Sequence, residues 1–65
     1  MSEHPKVKFA RDYCKKNHIR YQIKGANDVL YIYDPMVGRY TQRCYSLLNF
    51  ANNDEIARFI DKETK

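Results

Sequence analysis

The spacing of apolar residues changes at residue 18, and that change limits the chain to a mixed fold. Across residues 5 to 17, Val7, Phe9, Ala10, Tyr13 and Cys14 fall within one arc of a helical wheel. Lys8, Arg11 and Lys15 occupy the opposite side at i, i+3 and i+7. This pattern predicts an amphipathic helix with a basic outer stripe. Pro5 suits its first turn, where a missing N–H would have had no partner, and Asn17 suits a left-handed terminus. From Ile19 to Lys24 the period is two: Ile19, Tyr21 and Ile23 share one face, and Arg20, Gln22 and Lys24 share the other. That is the pattern of a half-buried strand.

Turn residues divide the middle of the chain. Gly25-Ala26-Asn27-Asp28 leads into Val29-Leu30-Tyr31-Ile32-Tyr33, apolar on both faces as a central strand should be. Asp34-Pro35-Met36-Val37-Gly38 turns the chain again, with Pro pre-setting one dihedral and Gly free to take positive φ. Arg39 to Tyr45 alternates once more, with Tyr40, Gln42 and Cys44 on one face and Arg39, Thr41, Arg43 and Tyr45 on the other. Ser46 to Ala51 reads either as a helical turn or as a crossing loop that carries Leu47, Leu48 and Phe50 into the core. A last helix starts at Asn52, with Glu55 at capping-box spacing, Ala51 and Ile56 at staple spacing, and Ile56, Phe59 and Ile60 as its apolar stripe. The expected fold is α+β: an α-β-β-β-α order with a three-stranded antiparallel meander and both helices on one face.

Residues 1–65 are expected to form a single small domain, since a chain of this length buries only about 60% of the surface its unfolded form exposes. Such a core is too thin to enclose a large active-site cavity. No apolar run approaches the roughly 18 residues needed to span a bilayer. The stretch Met1-Ser2-Glu3-His4-Pro5 lacks the apolar segment of a signal peptide, so a cytoplasmic location is expected. Two cysteines without a secretory segment argue against a disulfide framework, and both read as small core residues.

Charge is distributed unevenly. Residues 6 to 24 hold Lys6, Lys8, Arg11, Lys15, Lys16, Arg20 and Lys24 against Asp12 alone, a local net of +6 in a chain whose total is +4. The middle of the chain is balanced and the last third is slightly acidic. A basic block of this kind favours a polyanionic partner, nucleic acid first and an acidic protein surface second.

With both helices on the face of Ile19, Tyr21 and Ile23, the opposite face is expected to carry Arg20, Gln22, Lys24, Tyr31, Tyr33, Arg39, Thr41, Arg43 and Tyr45. None of these is acidic. Cations flanking tyrosines can hold a phosphate backbone by charge while offering rings and hydroxyls to bases and sugars. The plainer alternative makes Tyr31 and Tyr33 cross-strand packing residues. The parity of Val29 to Tyr33 is open at this point. Lys8, Arg11 and Lys15 form a second basic surface on the helix. Catalysis is not expected, because no Ser or Cys stands in an arrangement with a His and an orienting carboxylate. Cys14-x-x-x-His18 with Cys44 offers three candidate zinc ligands and would need His4 or a carboxylate as a fourth, but His18 reads more simply as a helix-terminal residue favoured by the dipole, so neither a metal nor a cofactor is expected.

The stretch Leu30-Tyr31-Ile32-Tyr33-Asp34-Pro35-Met36-Val37-Gly38-Arg39-Tyr40, followed by a strand and then a helix, resembles the hairpin of the arm-type DNA-binding domains at the N-termini of tyrosine recombinases. That resemblance covers about a third of the chain. It implies a three-stranded sheet on a C-terminal helix, with the exposed sheet face entering the major groove. Tyr31, Tyr33, Arg39 and Arg43 would face DNA, and Arg20 and Lys24 would add from the first strand. The order of elements is also that of double-stranded-RNA-binding domains, but Asn52-Asn53-Asp54-Glu55 stands where those carry a lysine cluster. The expected function is that of a small non-catalytic nucleic-acid-binding protein, DNA ahead of RNA, of the kind a phage or mobile element encodes. A protein-binding inhibitor or adaptor that docks on an acidic host surface is the alternative.

Overall fold

The computed structural model describes residues 3–64; Met1 and Ser2, part of the N-terminal stretch that lacks a signal-peptide pattern, and Lys65 lie outside them. Among the described residues the element order is α1 (Pro5–Lys16), β1 (Tyr21–Lys24), β2 (Val29–Asp34), β3 (Arg39–Gln42), a 3-10 turn (Leu47–Asn49) and α2 (Asn53–Glu63). The three strands form one antiparallel sheet in the order β1-β2-β3. This is the α-β-β-β-α meander expected from the pattern.

Helix α1 begins where Pro5 fixes φ, and the His4 imidazole caps it by accepting a hydrogen bond from the Lys6 N–H through Nδ1 at 3.2 Å. It buries Val7, Ala10 and Cys14, at i, i+3 and i+7. Its end differs from expectation. Asn17 is not left-handed (φ −98°); His18 is (φ 58°). The Ile19 N–H donates to the Cys14 carbonyl at 2.8 Å and the His18 N–H to that of Lys15 at 3.2 Å, the bond pair of a Schellman terminus. The motif drops Ile19 onto the core and aims the chain into β1.

The register explains what each face of the sheet carries. Tyr21 opposes Ile32 and Ile23 opposes Leu30, so these four share a face. Leu30 and Ile32 are buried there with Val7, Ala10 and Cys14 from α1, Leu47, and Ile56 and Ile60 from α2. Both helices therefore cover the same side. On α2, the Asn52 side chain caps by accepting from the Glu55 N–H at 3.0 Å, while the staple position Ala51 stays exposed. Residues 46 to 51 resolve into a helical turn: Ser46 Oγ accepts from the Leu48 N–H at 3.1 Å, and the Leu47 N–H donates to the Asp28 carbonyl at 3.1 Å. Leu47 is fully buried and Phe50 packs on Phe59 with ring centroids 5.0 Å apart. Leu48, expected inside, is 38% exposed, because a one-residue step around this tight turn carries it off the core side.

The strand β3 is where the facing differs from expectation. The loop Pro35-Met36-Val37-Gly38 makes Asp34 the partner of Arg39, and the register then pairs Tyr33 with Tyr40, Ile32 with Thr41 and Tyr31 with Gln42. Direct partners share a face. Tyr40 and Gln42 thus lie on the open face, and Arg39, Thr41 and Arg43 belong to the helix side, the reverse of the expected parity. The strand also ends at Gln42, so Tyr45 stands in the following loop, 83% exposed.

A left-handed backbone costs a β-carbon-bearing residue roughly 1 to 2 kcal/mol. His18→Gly is expected to stabilise the fold by about 1 kcal/mol, since part of that relief is offset by the greater freedom of glycine in the unfolded chain. Urea denaturation checks this; a lower midpoint for the variant would mean that the imidazole, rather than the backbone, matters at this position.

Candidate functional site

Alternation across three paired strands leaves one broad surface facing away from the helices. It carries Arg20, Gln22 and Lys24 at β1, Val29, Tyr31 and Tyr33 on β2, and Tyr40 and Gln42 on β3. No carboxylate is among them. Tyr33 and Tyr40 meet edge to face with centroids 5.4 Å apart at 73°. The Arg20 guanidinium lies 4.4 Å from the Tyr33 centroid, and the Lys24 ammonium 5.4 Å from that of Tyr31. Each such cation–π contact is worth about 0.5–1 kcal/mol at an exposed site. The contacts hold two long side chains in place without neutralising them. Among the described residues, no carboxylate stands within ion-pair distance of Arg20, Lys24 or Arg39.

Of the residues expected to face a ligand, the structure brings together Arg20, Lys24, Tyr31 and Tyr33. Arg39 is exposed at the base of the β2–β3 loop but on the other side of the sheet, and Tyr45 lies beyond the strand. Arg43 departs furthest. Its Nη1 donates to Glu63 Oε1 at 3.1 Å, its Nη2 is 4.0 Å from Asp34 Oδ2, and its side chain is only 21% exposed. Its Nε is buried without a hydrogen-bond partner. Arg43 ties the end of β3 to the last turn of α2 and the end of β2, which is a structural role. Tyr40 and Gln42 take its place on the open face. The length of the hairpin loop is the signal that points to them, since an even count of loop residues puts Tyr33 and Tyr40 on one side.

The helical stripe is largely spent on neighbours. Lys8 pairs with Asp12 at 3.1 Å and Arg11 with Glu3, leaving Lys15 exposed beside Lys16. An open cleft of roughly 940 Å³ lies at the end of the sheet between the His18–Arg20 segment, the β2–β3 loop and the end of α2. Asp34, Asp61 and Glu63 line it together with Arg20 and Arg43. Its carboxylates distinguish it from the open sheet face, which it adjoins at Arg20 and Tyr33. Asp61 also accepts a 2.6 Å hydrogen bond from the Tyr13 hydroxyl, which raises the Tyr13 pKa and joins the two helices.

The cysteines belong to the packing. Burial pushes the Cys14 thiol up to about 11 and raises that of Cys44, so neither is a ready nucleophile near neutral pH. Among the described residues no three His, Cys, Asp or Glu side chains gather as metal ligands, and no helix is long and apolar enough to cross a membrane. Comparison with family models, curated proteins and solved structures returns no significant match.

The two arginines can be told apart by stability. Arg43→Ala is expected to cost about 1.5–3 kcal/mol, the loss of a charge-assisted hydrogen bond to Glu63 in a largely buried setting. Arg20→Ala is expected to cost less than about 1 kcal/mol. Chemical denaturation of the two variants checks the ranking, and a reversed order would mean that Arg20 rather than Arg43 holds the sheet to its surroundings.

Proposed function

We propose that this chain is a small, non-catalytic nucleic-acid-binding protein that takes duplex DNA on the open face of its sheet. The observation that carries the reading is a face of eight side chains with no carboxylate, on which Arg20 and Lys24 are held over tyrosine rings and keep their charge. Cations fixed in this way can meet phosphates with little further ordering cost. A guanidinium stacked on a ring still points its N–H groups outward in the ring plane. The tyrosine hydroxyls and the Gln22 and Gln42 amides supply neutral donors and acceptors between the charges, the mixture that sugar and phosphate contacts use.

Duplex DNA is favoured over duplex RNA on shape. The β2–β3 hairpin is a two-stranded ribbon, which the roughly 12 Å major groove of B-form DNA admits, whereas the major groove of A-form RNA is deep and narrow. The resemblance to arm-type recombinase domains points the same way. It is carried here by Arg20, Lys24, Tyr31 and Tyr33, with Tyr40 and Gln42 in place of Arg39 and Arg43.

The test is binding to a labelled 20-base-pair duplex across a salt series. Affinity should fall steeply with salt, and Arg20→Ala with Lys24→Ala should weaken binding and reduce the logarithmic salt slope by about 2, close to 0.9 for each phosphate no longer neutralised. Lys8→Ala with Arg11→Ala should change little, because both cations already pair within the protein. Loss of binding in the helix variant alone would move the site to α1. Absence of binding at low salt, with a nuclease-insensitive partner captured from lysate, would favour docking on an acidic protein instead.

A further inference from the structure

β3 is the least supported strand of the sheet. None of Arg39, Tyr40, Thr41 and Gln42 is buried, and none belongs to the apolar cluster that the helices form with Tyr21 and Ile23 of β1 and Leu30 and Ile32 of β2. Among the described residues β2 is its one strand neighbour. The Arg43 N–H donates to the Leu30 carbonyl at 2.9 Å, which makes Leu30–Arg43 a hydrogen-bonded rung and, two residues on, Ile32–Thr41 the next. The backbone N–H and C=O groups of Tyr40 and Gln42 therefore point away from β2, along an edge that no other described strand occupies. An unpaired edge of this kind is a template for a further strand.

The sheet has a second free edge, and charge separates the two. At β1 the Tyr33 N–H donates to the Arg20 carbonyl at 3.0 Å, so the outward groups are those of Tyr21 and Ile23. A second copy paired antiparallel about Gln22 would use all of them, and would set Arg20 against Lys24 of the other copy on both sides of the axis. Directly opposed like charges destabilise a strand pair. Among the described residues neither cation has a carboxylate within ion-pair distance to soften that opposition. About Thr41 of β3, the same operation sets Tyr40 against Gln42 of the other copy, both neutral. Arg39 then opposes Arg43 of the other copy on the helix side, but the Arg43 charge is met within its own chain by Glu63 at 3.1 Å and Asp34 at 4.0 Å. Arginine and lysine thus guard the β1 edge and leave the β3 edge open to its own kind.

We propose that the chain self-associates as a two-fold dimer through the free edge of β3, in antiparallel register about Thr41. Tyr40 and Gln42 exchange backbone hydrogen bonds with Gln42 and Tyr40 of the other copy, and the two three-stranded sheets become one of six strands. Only alternate residues point outward, so the pairing cannot turn one copy upside down. Both open faces lie on the same side, and Arg20 and Lys24 come to the two outer margins of one continuous tyrosine-bearing surface. Pairing along a four-residue edge belongs to the small, transient class of interface, below about 1,200 Å², so dimer and monomer exchange. The dimer is a property of the free protein and does not depend on DNA binding.

Sedimentation equilibrium of the full chain without nucleic acid, between about 10 μM and about 1 mM, reads the association directly. The weight-average mass should rise from that of one chain toward that of two. Gln42→Pro removes an outward N–H and spares the bonds to β2. Circular dichroism and thermal melting establish that this variant folds, and it should stay monomeric across the range. Single cysteines give a second readout. Thr41→Cys places two thiols across the axis at a non-hydrogen-bonded pair, where Cα atoms about 4.5 Å apart suit a disulfide. With glutathione disulfide as oxidant it should cross-link at least about tenfold faster than Gln22→Cys, the equivalent position on β1, because only the β3 edges meet. The buried Cys14 and half-buried Cys44 should leave the wild-type chain uncross-linked. A wild-type chain that stays monomeric across the whole range would overturn the dimer and leave the DNA-binding reading standing. A dimer that survives Gln42→Pro, or that cross-links faster through Gln22→Cys, would overturn its placement on β3.

Discussion

Two helices of 12 and 11 residues are what this chain has to cover its sheet, and both lie on the same side. Two helices about 10 Å across, laid side by side, span about 20 Å, enough to cover the roughly 14 Å of three strands spaced about 4.8 Å apart. One face is therefore sealed, and among the described residues no element covers the other. The buried residues reflect this: Leu30 and Ile32 on β2 are closed off against Val7, Ala10, Cys14, Leu47, Ile56 and Ile60, while the alternate residues Tyr31 and Tyr33 face outward. A side chain on the open face must tolerate water and still pack across strands. Tyrosine meets both demands with an apolar ring and a polar tip. The contacts that stiffen the sheet and the surface offered to a ligand are thus the same groups.

The local charges decide which surface is available. Basic residues occur on α1, on the open face and around the cleft, but they differ in company. On α1, Lys8 and Arg11 have carboxylates beside them, and at the cleft Arg43 is held by Glu63 and Asp34. On the open face the cations rest on rings, which hold position without cancelling charge. Lys15 and Lys16 are also exposed without an ion pair among the described residues, but only Arg20 and Lys24 combine a free charge with a neighbouring tyrosine ring. The net charge of the chain does not reveal this; the pairing of each cation does.

Much of the architecture could be read from the sequence, because periods of 3.6 and 2 are imposed by burial on one side and each segment obeyed its own. The two helices and the facing of β1 followed from that, whereas β2, apolar on both faces, left its parity open until the register fixed it. What escaped was controlled by backbone geometry rather than by hydrophobicity. At the end of α1, the left-handed position fell to His18 because the bond from Ile19 to Cys14 fixes where the chain must reverse. On β3 both faces carry polar residues, so alternation alone could not assign them, and the four-residue loop decided the register. Arg43 was misplaced with the strand, since nothing local signals that Glu63, twenty residues on, ends α2 beside it.

Function, on the proposal made here, depends on one surface: the partner lies on the tyrosine face. The most direct measurement is a backbone-amide NMR titration of the full chain with a short DNA duplex at low salt. The largest shifts are expected at residues 20, 22, 24, 31, 33, 40 and 42, with α1 and α2 nearly silent. Shifts concentrated on Lys8, Lys15 and Lys16, or spread over the cleft residues Asp61 and Glu63, would contradict that placement.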